Sequence, residues 1–152
     1  MEKLLEQKSV MISSMNQEQF PEVSYAPFMI KENKIYLYLS KAANHYHNLT
    51  INPQCSVMAI EDEESSKNVF ARNRVVFNCS AHKIENIGET LVEEFTQIHG
   101  AQIMAVLQTL DFDWFELNIE KGRLVKGFGQ AFDITIEDNE FKLNQVMGMG
   151  HK

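Results

Sequence analysis

Histidine, arginine and carboxylate side chains are where this sequence could do chemistry. The chain has five histidines, and a neutral imidazole is the common protein ligand for zinc, copper and iron. Their spacing does not make a metal cage. His45 and His47 stand two apart, about 200° from each other around a helix axis, so one is predicted inward and one solvated. His82 falls in a segment of strand composition. His99 precedes Gly100 at a predicted helix C-terminus, where a partly charged imidazole would complement the dipole. His151, in Gly148-Met149-Gly150-His151-Lys152, reads by composition as part of a frayed tail, although a glycine-flanked histidine can also swing onto an iron.

Arg72 and Arg74, with Lys67 nearby, are the densest basic group. Two readings stand side by side: a seat for a small anion, since arginine grips carboxylate or phosphate with two donors, or surface partners for the acidic run Glu61-Asp62-Glu63-Glu64. Gly127-Phe128-Gly129 lacks the third glycine and the strand-to-helix setting of a dinucleotide fingerprint, so a bulge or close backbone approach is expected there. Ser14, Ser24 and Ser56 have no GxSxG frame, and no serine or cysteine can be paired with a base from sequence. No hydrolase is predicted. Cys55 and Cys79 form no CxxC pair, which excludes a zinc ribbon and points to a reducing compartment, read as the cytosol.

The elements that must position these groups follow from composition. With 152 residues, 44% hydrophobic and 23% charged, the chain is predicted to be one domain over residues 1–152. A net charge of −7 and a pI near 5.2, without a clustered basic surface, argue against nucleic acid as partner. The charged N-terminus and the lack of any long apolar run predict neither export nor a membrane span.

Period-2 patterning predicts strands at 9–14, 22–30, 35–39, 55–60 and 74–84. Between the third and fourth, Ser40 is a competent N-cap for a short helix that Asn52-Pro53 ends. Ile87, Leu91, Phe95, Ile98, Ile103, Leu107 and Leu110 keep helical spacing, with Gly100 dividing two helices. Strand patterning returns at 112–119, 124–127 and 130–136, and a short strand follows from Asn139. At least six strands, mostly antiparallel, with one helical excursion predict an α+β fold built on a closed or partly closed barrel.

Val23-Ser24-Tyr25-Ala26-Pro27-Phe28, Ile60-Glu61-Asp62-Glu63, Phe70-Ala71-Arg72-Asn73-Arg74 and Val125-Lys126-Gly127-Phe128-Gly129-Gln130-Ala131 occur in one order at close spacing, with His47-Asn48-Leu49 and Asn52-Pro53 between them. Together they resemble the HugZ/HutZ-type haem-utilisation proteins of the pyridoxamine 5′-phosphate oxidase-like, FMN-binding split-barrel superfamily, from about Ser9 to the chain end. The resemblance implies a six-stranded split barrel that forms a homodimer with its ligand site at the subunit interface. It implies haem held through His151, a supporting carboxylate from the neighbouring subunit at Asp111, with Asp113 as competitor, and a pocket lined by His45, Arg72 and Arg74, where Arg74 would neutralise a haem propionate.

The activity so implied is haem degradation with O₂ and an external electron donor, giving a biliverdin-type product, iron and carbon monoxide, with His151 and Asp111 as the catalytic pair. A haem carrier or store on the same residues is one alternative. FMN is the other cofactor: flavin oxidases of the superfamily place an arginine near the start of the second strand and a Ser-Arg-Lys triplet before the Asn-Pro turn. Here those positions read Ser24 and Ala43-Asn44-His45, which removes charge-assisted phosphate contacts worth about 1.5–3 kcal/mol each.

Overall fold

Apolar side chains that alternate with polar ones can satisfy both core and water only in a strand whose two faces differ, and that rule shapes most of this chain. The computed structural model describes residues 1–146. A short helix α1 (Glu2–Leu5) leads into the hairpin β1 (Ser9–Met15) and β2 (Pro21–Lys31), then β3 (Lys34–Ser40), helix α2 (Asn44–Ile51), β4 (Gln54–Ile60) and β5 (Arg74–Ile84). Helices α3 (Glu89–His99) and α4 (Ala101–Leu107) precede β6 (Phe112–Val125), β7 (Ala131–Glu137) and β8 (Glu140–Gln145). All pairings are antiparallel, in the order β3-β2-β1-β4-β5-β6-β7-β8. β3 also pairs with β6, from Lys34 opposite Asn118 to Ser40 opposite Phe112. That pairing closes β1 to β6 into the predicted six-stranded barrel and leaves β7–β8 as an extension on its rim.

Inward residues fill the barrel. Phe28, Phe77, Phe115, Leu37, Leu117 and Val57 are all fully buried, so the interior is a packed core with no lumen for a ligand. Any binding site must lie outside the wall. A second apolar cluster on the outer face seats Phe95 of α3 and Met104 of α4 on Met29, Tyr36 and Trp114. Cys55 and Cys79 are register partners on β4 and β5, both free and buried, and burial pushes the Cys55 thiol up to about 12.

Several sequence expectations need correction. The 112–119 and 124–127 segments are one 14-residue strand, β6. The polar stretch through Lys121-Gly122-Arg123 hides its continuity, and a bulge shifts its register with β5 from Lys121 opposite Asn78 to Ile119 opposite Cys79. Helix α2 begins at Asn44 with Ala43 as its N-cap. Ser40 instead closes the preceding turn, its hydroxyl accepting from the Ala42 amide at 3.1 Å. Met104, absent from the predicted helical stripe, is the residue α4 buries, while Ile103 and Leu110 are exposed. Gly100 does separate α3 from α4, with φ of 110°.

Candidate functional site

The candidate residues fall into two groups at opposite ends of β6. At its start, the Lys41 amide donates to the Asp111 carbonyl at 2.9 Å, setting the entry to α2 beside the Asp111 turn. His45, in the first turn of α2, is half-buried and its Nδ1 lies 2.8 Å from Ser24 Oγ on β2. Burial lowers its pKa, so the ring is held toward neutrality. His47 is exposed, with Nε2 2.7 Å from the Lys41 carbonyl. The pair therefore divides as its helical spacing requires.

The two aspartates of this end differ. Asp113 accepts a hydrogen bond from the Tyr46 hydroxyl and faces the ammonium groups of Lys41 at 3.9 Å and Lys83 at 3.7 Å. It is bound into the α2–β6 contact. Asp111 is exposed, and its carboxylate makes no hydrogen bond or ion pair among the described residues. Of the two, only Asp111 has a carboxylate free to meet an incoming group.

At the other end, β5 opens at Arg74 opposite Val125, the last residue of β6. Arg72 is committed to the acidic loop: Nε and one terminal nitrogen donate to the Glu61 carbonyl at 3.0 and 2.5 Å, and the other lies 3.9 Å from Glu63. The surface-partner reading describes Arg72. It does not describe Arg74, which donates to the Arg72 carbonyl at 3.0 Å and faces no carboxylate among the described residues. Arg74 lines a cleft of about 370 Å³ with Phe70, Val76, Arg123 and the Gly127–Gly129 turn. A larger cavity of about 610 Å³ beneath α1 holds none of the candidate residues.

The Gly127-Phe128-Gly129 turn is the β6–β7 connection, with positive φ at both glycines. Among the described residues, neither of the other two histidines joins either group. His82 is exposed. His99 is not a charged helix cap: its Nε2 lies 2.9 Å from the Phe28 carbonyl and burial lowers its pKa, so it ties α3 to β2. His151 lies outside the described residues. The last described residue, Val146, donates its amide to the Ala131 carbonyl at 2.8 Å, and Ala131 lines the Arg74 cleft.

The description of the pyridoxamine 5′-phosphate oxidase family matches residues 1–126. The chain belongs to that family. Its HutZ-type branch is set by closer relatives. The heme oxygenase HutZ of Vibrio cholerae serotype O1 (strain ATCC 39315 / El Tor Inaba N16961) is 37% identical over 136 residues, covering 88% of this chain and 77% of HutZ. The crystal structure of Campylobacter jejuni ChuZ superposes with a TM-score of 0.84 at 33% identity, over 99% of this chain and 63% of ChuZ. This chain therefore spans less than two thirds of the ChuZ chain. A crystal structure of Vibrio cholerae HutZ, described there as a heme storage protein, gives 0.76 at 30% identity, over 83% of this chain and 92% of HutZ.

Two site features escape a reading by motif. Ser24 has no catalytic frame, yet it is the partner of His45, because β2 and α2 meet only in three dimensions. Phe70 and Phe128 carry no titratable group, and their exposure is invisible until the turns that bear them are built. The signal for both exists in Phe70-Ala71-Arg72-Asn73-Arg74 and in Val125 to Ala131, segments that carry the resemblance.

Proposed function

We propose that this protein binds haem on the outer wall of the barrel and degrades it with O₂ and electrons from an external donor, releasing iron and a biliverdin-type product. One observation carries the reading. The described chain ends at Val146, bonded to Ala131 in the Arg74 cleft, and His151 follows five residues later, within about 18 Å of extended chain. An imidazole for iron and a guanidinium for a propionate would thus lie within reach of one cleft. The names of the relatives point the same way: HutZ is called a heme oxygenase in one description and a heme storage protein in the other.

Haem, when bound, supplies the iron that activates oxygen against its own macrocycle. Everything else falls to this chain. His151 would hold the iron. Arg74 would anchor a propionate with the guanidinium nitrogens not spent on Arg72. Asp111 would accept the free imidazole N–H of the iron-bound histidine, fixing its tautomer and raising its basicity.

Asp111 and Arg74 cannot serve one site from one chain, because β6 sets roughly 40 Å of strand between its ends. A homodimer resolves this, each site taking Arg74 and His151 from one subunit and Asp111 and His45 from its partner. The outer face of β1–β2 supports such an interface: Met11 and Tyr25 are register partners, Ser13 and Val23 likewise, and Tyr25 and Val23 are 65% and 72% exposed.

FMN is the second reading of the family fold. At the positions where flavin oxidases carry phosphate-binding cations, Ser24 and His45 face each other, with the imidazole held toward neutrality. That arrangement favours haem.

Haem titration of the apo-protein, followed by ascorbate under air, tests the proposal. A Soret band that decays as a biliverdin-like band grows is the expected result. A stable Soret band would make the protein a haem carrier or store, and no Soret band in a protein that purifies yellow would return the site to FMN.

A further inference from the structure

Phe70 and Phe128 are 85% and 61% exposed, and both line the Arg74 cleft. Phenyl rings carry large apolar surface and no polar handle for water, so two at the mouth of one small cleft mark a face that expects a partner. Neither ring hangs on loose backbone. Asn68 Oδ1 accepts from the Phe70 amide at 2.9 Å, while the Asn68 carbonyl accepts from the Ala71 amide at 2.9 Å and the Ser66 hydroxyl at 3.0 Å. Phe128 rides a turn closed by the Lys126 amide donating to the Gln130 carbonyl at 2.9 Å. Gly127 and Gly129, with φ of 125° and 72°, allow its reversal.

Within the cleft the charge is cationic and specific. Arg123 is neutralised by Asp133 at 2.7 Å; Arg74 has no carboxylate among the described residues. Val76 and Ala131 add apolar lining. Rigid aromatic edges, an apolar wall and one uncompensated guanidinium together suit a broad flat ring system bearing a carboxylate. We infer that Phe70 and Phe128 grip the macrocycle itself, and that the Arg74 cleft recognises a porphyrin dicarboxylate whether or not it carries iron. This rests on the haem-binding reading above and deepens it, assigning ring recognition to two residues that carry no ligand chemistry of their own.

Metal-free protoporphyrin IX has the same ring and carboxylates without iron, so it separates this inference from the axial role of His151. It is titrated into the full chain by its own fluorescence, in parallel with haem by Soret absorbance. The variants are Phe70→Ala, Phe128→Ala and their Trp counterparts, with Phe20→Ala as control, a 69% exposed phenylalanine that does not line the cleft. Each cleft Ala variant is expected to raise Kd for both ligands about tenfold. Phe20→Ala keeps the wild-type value, the Trp variants bind both ligands more tightly than the corresponding Ala variants, and all melt at the wild-type temperature. Wild-type protein that binds both ligands with Kd unchanged in the Ala variants overturns the inference and leaves the haem reading standing. Haem bound without porphyrin also overturns it, since the iron would then supply the affinity. Failure of the wild type to bind haem overturns the reading of function, and the porphyrin titration then decides the cleft alone.

Discussion

Mixing two defective variants tests the shared site directly. Arg74→Ala removes the one cleft cation that faces no carboxylate among the described residues. A charge-assisted contact is worth about 1.5–3 kcal/mol, so haem Kd should rise about 10- to 150-fold. Asp111→Asn leaves haem bound and lowers turnover, because the amide no longer raises the basicity of the imidazole. In the proposed homodimer each parent variant is then defective at both sites. In a mixed dimer with sites shared across the interface, one site collects both substitutions and the other collects neither. Random reassociation gives half mixed dimers, so about a quarter of all sites are intact.

Turnover is measured at a haem concentration above the wild-type Kd and below that of Arg74→Ala, before and after the two variants are co-expressed or exchanged. The expected result is two nearly inactive parents and a mixture at about a quarter of wild-type rate. A mixture no better than the mean of its parents refutes the shared site, since both residues would then belong to one chain. A monomer in sedimentation refutes it as well.

The other predictions concern stability and pH. Asp113→Asn, which weakens the bond to Tyr46 and the attraction of Lys41 and Lys83, should lower the urea midpoint. Asp111→Asn should not; equal losses would remove the distinction between the two aspartates. Gly122→Ala places a methyl 2.5 Å from the Val76 carbonyl oxygen and 2.8 Å from the Phe77 ring, a backbone clash that should cost about 1–3 kcal/mol in chemical denaturation; an unchanged midpoint would mean the β5–β6 ladder yields freely. His45 and His99 both have pKa values lowered chiefly by burial, so the unfolded chain binds protons first. Their contribution is fully present above the unfolded value of about 6.5 and is lost as pH falls from there through the folded values. Apo-protein melting should drop across that window, and less steeply in a His45→Asn, His99→Gln double variant; identical slopes would remove both histidines as the cause.

How legible the fold is depends on the range of the interaction. β5 runs over the predicted 74–84 because Val75, Phe77, Cys79 and Ala81 alternate inward without interruption, and Gly100 breaks the helices because its backbone angle suits few other residues. β6 reads as two pieces because its polar midsection is stabilised by neighbours on both sides, which no local pattern reveals. Barrel closure between β3 and β6 has no local signal at all. The site divides the same way. Residue types at His45, Arg74 and Asp111 are visible in the sequence, but their placement at opposite ends of a 14-residue strand is not. Arg72 and Arg74, two residues apart, look equivalent in sequence, and separate only once the acidic loop has folded back onto Arg72.

The charge distribution links the fold to the choice of ligand. The chain is acidic, with a net charge of −7, and its field as a whole repels anions. Against that background the Arg74 cleft keeps one guanidinium that faces no carboxylate among the described residues, while Arg72 is held by the acidic loop beside it and Arg123 by Asp133. What the cleft offers is this single guanidinium together with two exposed rings, a match for a carboxylate on a flat hydrophobic body. The α2 end is tuned in the same sense. A neutral imidazole facing a serine holds the positions at which flavin oxidases of the superfamily keep their phosphate-binding cations. Restoring a cation at Ser24 would therefore separate the two chemistries: Ser24→Arg should raise affinity for FMN and, by breaking the Ser24–His45 contact in the shared site, leave haem affinity no higher than wild type. If FMN binding does not respond, the barrel discriminates by shape, and the loss of cations at the α2 end is incidental to it.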